Sequence, residues 1–384
     1  MFVYYFFATL VLVQGFLSLR GGVRYLGYVR GALREELPVF TPRVTVIVPC
    51  RGVEQGLRDN LLSVLAQDYP DYEVIFVVDE RGDAAICVIE ELMRAEKRVA
   101  VRLVVAGRAR ECGQKVHNLR RAVPAARMAS QVFVFVDWTP GRIARGCEIW
   151  WRRSAMFASA RRRLQMVRAE RRNLASMLRA VWNASIASAL GPDMRRNFCW
   201  GGSTAIRRDV FEQLNVLEQW RGTVSDDFAL TRALQHEKLP IRFVPQCLVA
   251  SHETVSWSQL FEFTTRQIKI TRVYAPHLWH IVLWTNLIFA GVFWGGLMLV
   301  LVGFAANKTF MWTVASCVAI IFSLGAAKAF YRLRAVNLLF RGRGQTSPSN
   351  SLAYLFLWPL TALIYLFNAL VALFSRRKMA RHHL

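Results

Sequence analysis

The sequence predicts an α/β domain with a mostly parallel sheet, flanked at both ends by apolar segments able to cross a membrane. Three observations carry this expectation. Between Val44 and Val136, short aliphatic runs alternate with stretches of helical spacing, the pattern of strand–helix–strand units joined by right-handed crossovers. The run Val132–Val136, VFVFV, has no polar alternation, as expected of a strand buried on both faces. Hydrophobic residues make up 54% of the 384 positions and concentrate toward the two ends, more than a soluble chain usually carries.

In chain order, Met1–Leu19 is apolar throughout and long enough to cross roughly 30 Å of hydrocarbon. No Lys or Arg precedes it and no small-residue cleavage site follows, which favours an anchor over a removable signal. Arg20, Arg24, Arg30 and Arg34 follow in a basic linker, residues 20–40, and place the next domain on the cytoplasmic side. Strands are expected at Val44–Val48, Glu73–Val78, Val101–Val105 and Val132–Val136, with helices at Leu57–Ala66, Ala84–Ala95 and Val116–Ala122. Two of the four strands end in an acid, Asp79 and Asp137, at the carboxyl edge where open α/β sheets bind ligands. Taken alone, Asp137 either meets a ligand there or caps the following turn.

Ile143–Ala180 is rich in Arg with Trp150, Trp151 and Phe157 interspersed, either a membrane-surface element or a solvated helical face. Trp200–Arg208, WGGSTAIRR, pairs glycines with small hydroxyl residues, so backbone can approach a ligand closely. Val224–Leu234 reads as a helix with Ser225 as N-cap and Asp226 and Asp227 in its first turn. Ser256–Tyr274 is amphipathic and basic, and His277–Ala306, Phe310–Phe330 and Leu352–Phe374 are apolar. The expected domains are an anchor (1–19), the basic linker (20–40), the α/β domain (41–255), an interfacial helix (256–276) and a carboxy-terminal membrane domain of about three helices with a basic tail (277–384). Three further crossings would leave Arg376, Arg377, Lys378 and Arg381 outside, against the positive-inside tendency. Either one segment is re-entrant or kinked, with Pro359 as the break, or the tail departs from the rule.

Lys and Arg total 50 against 26 Asp and Glu, a formal charge of +24. Such an excess suits an anionic partner; the Arg residues lie beside apolar spans and no recognition module is present, which points to a membrane surface and away from nucleic acid. The seven Cys are dispersed without a CxxC pair, so no zinc site or disulfide framework is signalled.

The order of motifs is more specific than any one of them. PCRGVE (Pro49–Glu54) follows the first strand, VVDERGD (Val77–Asp83) the second, GQKVHNL (Gly113–Leu119) opens a helix, and FVDWTP (Phe135–Pro140) ends the fourth strand. WGGSTAIRRDVF, SDDF and the basic amphipathic helix come next. From about Thr41 to Pro276 this resembles the family 2 glycosyltransferases with a GT-A fold, and within them the ceramide glucosyltransferase group, family 21, and its bacterial relatives. The resemblance implies an inverting, multi-pass membrane enzyme with its catalytic domain on the cytoplasmic face, as in a bacterial inner membrane. Its donor would be a nucleotide sugar, expected to be UDP-linked, its acceptor a lipid hydroxyl, and its cofactor Mg²⁺ or Mn²⁺.

By the same resemblance Pro49, Arg51, Gly52 and Glu54 line the nucleotide loop, Asp79 reaches the base and ribose, and Lys115 and Asn118 form the KxxN element. Asp137 is the metal-motif acid; apart from the resemblance, His252 of SHET is a candidate metal or acceptor contact, a lone His being otherwise structural. Asp227 is the base and Asp226 its catalytic neighbour. Trp200, Gly201 and Gly202, with Arg266, Lys269 and Arg272, are expected at the acceptor or diphosphate. Two departures stand out: the metal motif has one acid, as in the ceramide glucosyltransferase group, and the QxxRW motif is reduced to Gln267-Ile268-Lys269-Ile270 after Arg266. Lysine keeps the cation there but loses the bidentate fork. The competing readings are a processive polysaccharide synthase and an inactive membrane scaffold that keeps the fold.

Overall fold

The computed structural model describes residues 2–36, 41–53, 56–137, 158–161, 173–248, 254–302, 308–340 and 348–375. Two compact units emerge. The first comprises Met1–Arg30, Val167–Ala189 and Thr254–Arg377; the second comprises Gly31–Met166, Leu190–Glu253 and Lys378–Leu384. The long helix α1 (Phe2–Arg34) contributes to both.

The second unit is built on seven strands: β1 (Val44–Pro49), β2 (Tyr72–Val78), β3 (Ala100–Val105), β4 (Val132–Val136), β5 (Ala158–Arg161), β6 (Ser203–Arg207) and β7 (Ile241–Phe243). Their spatial order is β3-β2-β1-β4-β6-β5-β7. β3, β2, β1 and β4 run parallel, and β6 is antiparallel to both β4 and β5. The expected mostly parallel α/β sheet is therefore present. Its helices are α2 (Leu57–Leu65), α3 (Ala85–Ala95) and α4 (Gln114–Ala122).

Every residue of β1, β2 and β4 is buried, which is why these strands read as unbroken apolar runs. Alternate side chains serve opposite faces. Val46, Val74, Phe76 and Val134 pack with Leu61 of α2 and Ile89 of α3. Ile47, Ile75, Phe133 and Phe135 pack with Val116 and Leu119 of α4 and with Phe211 and Trp220 beyond β6. The chain runs outward from β1 to β2 and β3, then returns to place β4 on the other side of β1. That reversal is a topological switch point, and the crevice at the carboxyl ends of β1 and β4 is where such sheets take ligands.

β6 was not apparent in the sequence. In WGGSTAIRR the sequence showed glycines and small hydroxyl residues that let backbone approach a ligand; the first part is a turn, but Ser203–Arg207 pairs along its length with β4, and Ser203–Ala205 pairs with β5 as well. Glycine, serine and alanine give little strand signal before Thr204 and Ile206, and here pairing decides.

At the opposite sheet edge, Glu73 is fully buried. Its carboxylate accepts from Thr45 Oγ1 at 2.7 Å and from the Arg127 backbone N–H at 2.7 Å, and pairs with Arg127 Nε at 3.3 Å. Thr45 in turn meets Ser130 Oγ at 2.5 Å.

The remaining helices of the sheet unit are α6 (Arg208–Gln213), α7 (Val216–Gln219) and α8 (Asp226–His236). The first unit is helical: beside α1 it holds α5 (Leu174–Ala187), α9 (Trp257–Tyr274), α10 (Pro276–Val302), α11 (Lys308–Leu339), α12 (Pro348–Phe356) and α13 (Trp358–Phe374). Among the described residues three helices are long and apolar enough to cross a membrane: Phe2–Arg34, Pro276–Val302 and Thr309–Leu339. The expected amphipathic helix is α9, opened by a capping box between Ser256 and Gln259. Of the Arg-rich Ile143–Ala180 stretch, the described end enters α5, where Trp182 stacks on Tyr365 at 5.2 Å.

The apolar stretch Leu352–Phe374 is interrupted at Leu357, between α12 and α13. Pro359 has no N–H to continue an α-helical ladder, so a helix interrupts there. Trp358 lies against Gly325 of α11, which leaves no room for a Cβ, and near Phe289 (5.3 Å) and Phe293 (6.0 Å) of α10.

Arg127 is partly exposed while Glu73 is buried, so removing the carboxylate mainly leaves its buried hydrogen-bond donors without an acceptor, at a cost of about 1–3 kcal/mol. Glu73→Ala is therefore expected to lower the thermal unfolding midpoint markedly, whereas removal of an exposed acid such as Glu91 leaves it nearly unchanged; a scan of both purified variants checks this.

Candidate active site

The site is assembled where β2 and β4 end and α4 and α8 begin. Asp79 follows β2 directly and Asp137 follows β4 directly. In the register, Val77 lies opposite Pro49, and Ile47 lies opposite Phe135, so both acids emerge level with the end of β1. With β1 between them their backbones stand about 10 Å apart, room for an elongated ligand to lie across the switch point.

Lys115, on the first turn of α4, joins the elements together. Its ammonium lies 2.8 Å from Asp137 Oδ1 and 3.1 Å from Asp226 Oδ1, and it donates to the Gly201 carbonyl at 2.7 Å. The start of α4 is held beside α8 by Gly113, whose N–H donates to the Thr223 carbonyl at 2.8 Å. A Cβ on Gly113 would come within 3.0 Å of the Val224 backbone, so glycine is what allows this approach.

Ser225 caps α8 as expected, its Oγ accepting from Phe228 N–H. Ser225 Oγ also donates to Asp227, whose Oδ1 accepts from Phe228 N–H at 2.8 Å and whose Oδ2 accepts from Gly201 N–H at 2.8 Å. Asp227 is thus fixed in one orientation. A Cβ at Gly201 would lie 3.1 Å from Asp227 Oδ2 and 3.3 Å from Lys115 Nζ. The ladder of β4 and β6 carries on past its last pair, with Asp137 N–H donating to the Gly202 carbonyl at 3.0 Å.

The electrostatics follow from this crowding. Burial works against the charge on Lys115, but Asp137, Asp226 and Asp227 outweigh it and hold the ammonium above the ordinary lysine value. Asp226 is 7% exposed. Burial, then repulsion from Asp227 and Asp137, pushes its carboxyl above the usual carboxylate range, and Lys115 offsets only part of this.

A second group forms around Asp79. Asn118 Nδ2 donates to Asp79 Oδ1 at 2.7 Å, and Gln114 Nε2 donates to Asn118 Oδ1 at 2.8 Å. Gln114 also receives Ala109 N–H and donates to the Gly107 carbonyl. Arg51 Nε stands 3.8 Å from Asp79 Oδ2 and is largely exposed. Gly52, at φ +61°, donates its N–H to Asp83 Oδ1 at 2.8 Å. Gln114 and Asp83 shape the loops here without having been singled out in the sequence; the spacing of Gln114 four residues before Asn118 on one helix face was the available signal.

The structure brings together Lys115, Asp137, Asp226, Asp227, Gly201 and Gly202, and separately Asp79, Asn118 and Arg51. Trp200 packs near Phe198 at 6.1 Å, and its carbonyl accepts from Thr204 Oγ1 at 3.0 Å. Glu54, His252, Trp138 and Pro140 lie outside the described residues. Arg266, Lys269 and Arg272 belong to α9 of the helical unit. There Arg272 donates to the carbonyls of Ala372 and Ser375 at the end of α13 and sits over the Trp279 ring at 5.3 Å. Among the described residues no group of three or more His, Cys, Asp or Glu could hold a metal unaided. Asp137 at the strand end nevertheless suits Mg²⁺, which takes one or two carboxylates, keeps waters and shares substrate phosphates.

Comparison with known proteins places the chain in a family. The sequence pattern of glycosyl transferase family 21 matches residues 4–137 and 163–381, and the chain belongs to that family. It is similar to ceramide glucosyltransferase 1 of Caenorhabditis elegans, 30% identical over 86 residues, covering 22% of this chain and 18% of that one. It is also similar to the ceramide glucosyltransferase of Komagataella phaffii, 34% identical over 73 residues, covering 18% of this chain and 14% of that one. The matched segments thus span less than a fifth of these relatives. Among solved structures, a mannosyltransferase of Pyrobaculum calidifontis in complex with GDP-Man and Mn²⁺ aligns over 97% of this chain and 99% of its own, at 17% identity and a TM-score of 0.49.

Because the folded-state pKa of Asp226 is raised above its unfolded value near 3.9, the native state binds more protons in the window between the two. Stability therefore falls as pH rises through that window. Asp226→Asn is expected to remove this slope. Lys115→Met is expected to lower stability at pH 7, with the deficit shrinking as pH falls and the acids protonate. Thermal unfolding of wild type and both variants across pH 4–8 checks each sign.

Proposed function

We propose that this chain is a membrane-bound, inverting glycosyltransferase that moves a hexose or N-acetylhexosamine from a nucleotide sugar, UDP-linked by family expectation, to a lipid hydroxyl. The observation carrying the proposal is the bridge made by Lys115 between Asp137 at the end of β4 and Asp226 at the start of α8. It puts one acid at the switch point and two more beside it, with Asp79 and Asn118 two strands away to receive a nucleoside.

In this reading Asp79, held by Asn118, orients the base and ribose. Asp137 would hold Mg²⁺ or Mn²⁺ together with the donor's diphosphate, and the bound cation would offset charge on the leaving group. Lys115 holds Asp137 and Asp226 in place and adds positive charge beside the diphosphate. The base that takes the acceptor proton comes from the Asp226–Asp227 pair. Asp227, the residue in that role by resemblance, is oriented by its three donors. Asp226 shares the site with a raised proton affinity that suits proton uptake near neutral pH.

The helical unit suits a lipid acceptor and favours one reading of the membrane topology. α1 and α11 run parallel: a Cβ on Gly15 would meet Leu324 at 3.0 Å, and one on Gly22 would meet Lys328 at 3.2 Å. Trp358, where the broken stretch turns, lies beside Phe289, about 20 Å along α10. α13 then ends at Arg272, close to where α10 begins. This supports three crossings, by α1, α10 and α11, with α12 and α13 as a re-entrant pair. Arg376, Arg377 and Lys378 then share the cytoplasmic side with Arg20 and Arg24, in keeping with the positive-inside tendency.

Asp137→Ala and Asp227→Asn are each expected to reduce transfer by at least about 10²-fold while the protein stays folded, the first by removing the cation's ligand and the second by removing the base. Sugar nucleotides supplied with membrane lipid extract, followed by mass spectrometry of the glycolipid product, test this. Undiminished turnover in both variants would overturn the assignment. Chelation of divalent cations is expected to stop turnover, and added Mg²⁺ or Mn²⁺ to restore it.

A further inference from the structure

Within the helical unit lies a cavity of about 210 Å³ whose lining includes Ser18, Ser185, Asn286, Lys328, Arg332 and Tyr365. Two cations in such a place need an explanation. Lys328 Nζ donates to Ser18 Oγ. Arg332, one helical turn further on, has a buried Nε with no hydrogen-bond partner among the described residues. Tyr25, Tyr354 and Tyr365 lie within its electrostatic reach, and Ser185 Oγ meets Tyr365 Oη at 2.7 Å.

Among the described residues no carboxylate pairs with either cation. Among the described residues of this unit Glu262 is the only acid, and it is exposed on α9. Cations within apolar helices are costly unless they face a partner, a cavity or an ion path. Depth narrows the partner. Lys328 lies twenty residues beyond the start of α11, about 30 Å along the helix axis and so one hydrocarbon thickness. Arg20 and Arg24 follow Ser18 on the parallel helix α1. This places the two cations of the cavity at headgroup depth on the basic side of the bundle.

We propose that this cavity binds the phosphate of an anionic phospholipid, with Lys328 and Arg332 as its cationic ligands and Ser18 and Tyr365 as supporting hydroxyls. A phosphate supplies the missing negative charge and offers acceptors to the Arg332 fork. None of these residues belongs to the proposed transfer site, and the binding does not depend on the transfer reaction.

The test is native mass spectrometry of the full-length protein in detergent, titrated separately with phosphatidylglycerol, phosphatidylcholine and inorganic phosphate. Saturable binding of phosphatidylglycerol is expected, weakened about tenfold in Lys328→Met and in Arg332→Met, the scale of one lost charge-assisted hydrogen bond. Lys328→Arg is expected to retain binding, and Arg334→Met, an exposed cation on the same helix, to leave it unchanged. Ser18→Leu keeps both cations but fills space beside Lys328, and reads the same loss if a charge variant fails to fold. Equal binding of phosphatidylcholine, or undiminished phosphatidylglycerol binding in the Met and Leu variants, overturns the proposal. Binding of inorganic phosphate without the lipid overturns the lipid source.

Discussion

A single ammonium among three carboxylates is the constraint on which the rest of the sheet unit depends. Asp137, Asp226 and Asp227 come from two chain segments far apart in sequence, and without a cation among them their mutual repulsion opposes folding at neutral pH. Lys115 relieves that repulsion only because three backbone features bring it there. Gly113 lets α4 abut the loop before α8, Gly201 leaves space for both the ammonium and a carboxylate, and β6 positions Gly201 and Gly202 alongside the end of β4. Each feature is a local concession in side-chain bulk or strand preference. Their common result is a charged centre at the switch point of the sheet.

Much of this was legible in the residues. Three of the four parallel strands, β1, β2 and β4, were readable because burial on both faces removes polar alternation, so Val44–Val48 and Val132–Val136 could hardly be anything else in this context. Ser225 was readable as a cap because a hydroxyl followed by two acids satisfies the start of a helix locally. β6 was not readable: Ser203, Thr204 and Ala205 carry no periodic signal, and they are a strand because neighbours on both sides supply hydrogen bonds. The partnership of Lys115 with the acids was equally hidden. Sequence placed it beside a nucleotide by resemblance, but only the fold shows that its ammonium already has partners of its own. The break between α12 and α13 was half visible, since Pro359 marks where a helix must yield but not where Trp358 will lodge.

The helical unit obeys a different physics. Its packing is made by aromatic rings and small residues, as where Trp358 occupies the space that Gly325 leaves, and side-chain pairs such as Ser185 with Tyr365 and Thr265 with Asn368 tie its helices together. Arg272 shows the same economy, since one guanidinium closes the carbonyl end of α13 and covers the face of Trp279. The amphipathic helix is thereby fastened at its end to the segment that follows the break.

The Glu73 cluster has a consequence for how this protein can change. The groups that hold the sheet together through buried charge, Glu73 with Thr45, Ser130 and Arg127, sit at the edge where the parallel strands start. The acids that define the site stand where those strands finish. Robustness and chemistry are therefore inherited from opposite rims of one sheet, linked by strands whose interior tolerates little but aliphatic bulk. A lineage could remodel the site rim to accept a different donor while the other rim continues to secure the fold, and drift at that far rim would alter longevity without altering selectivity.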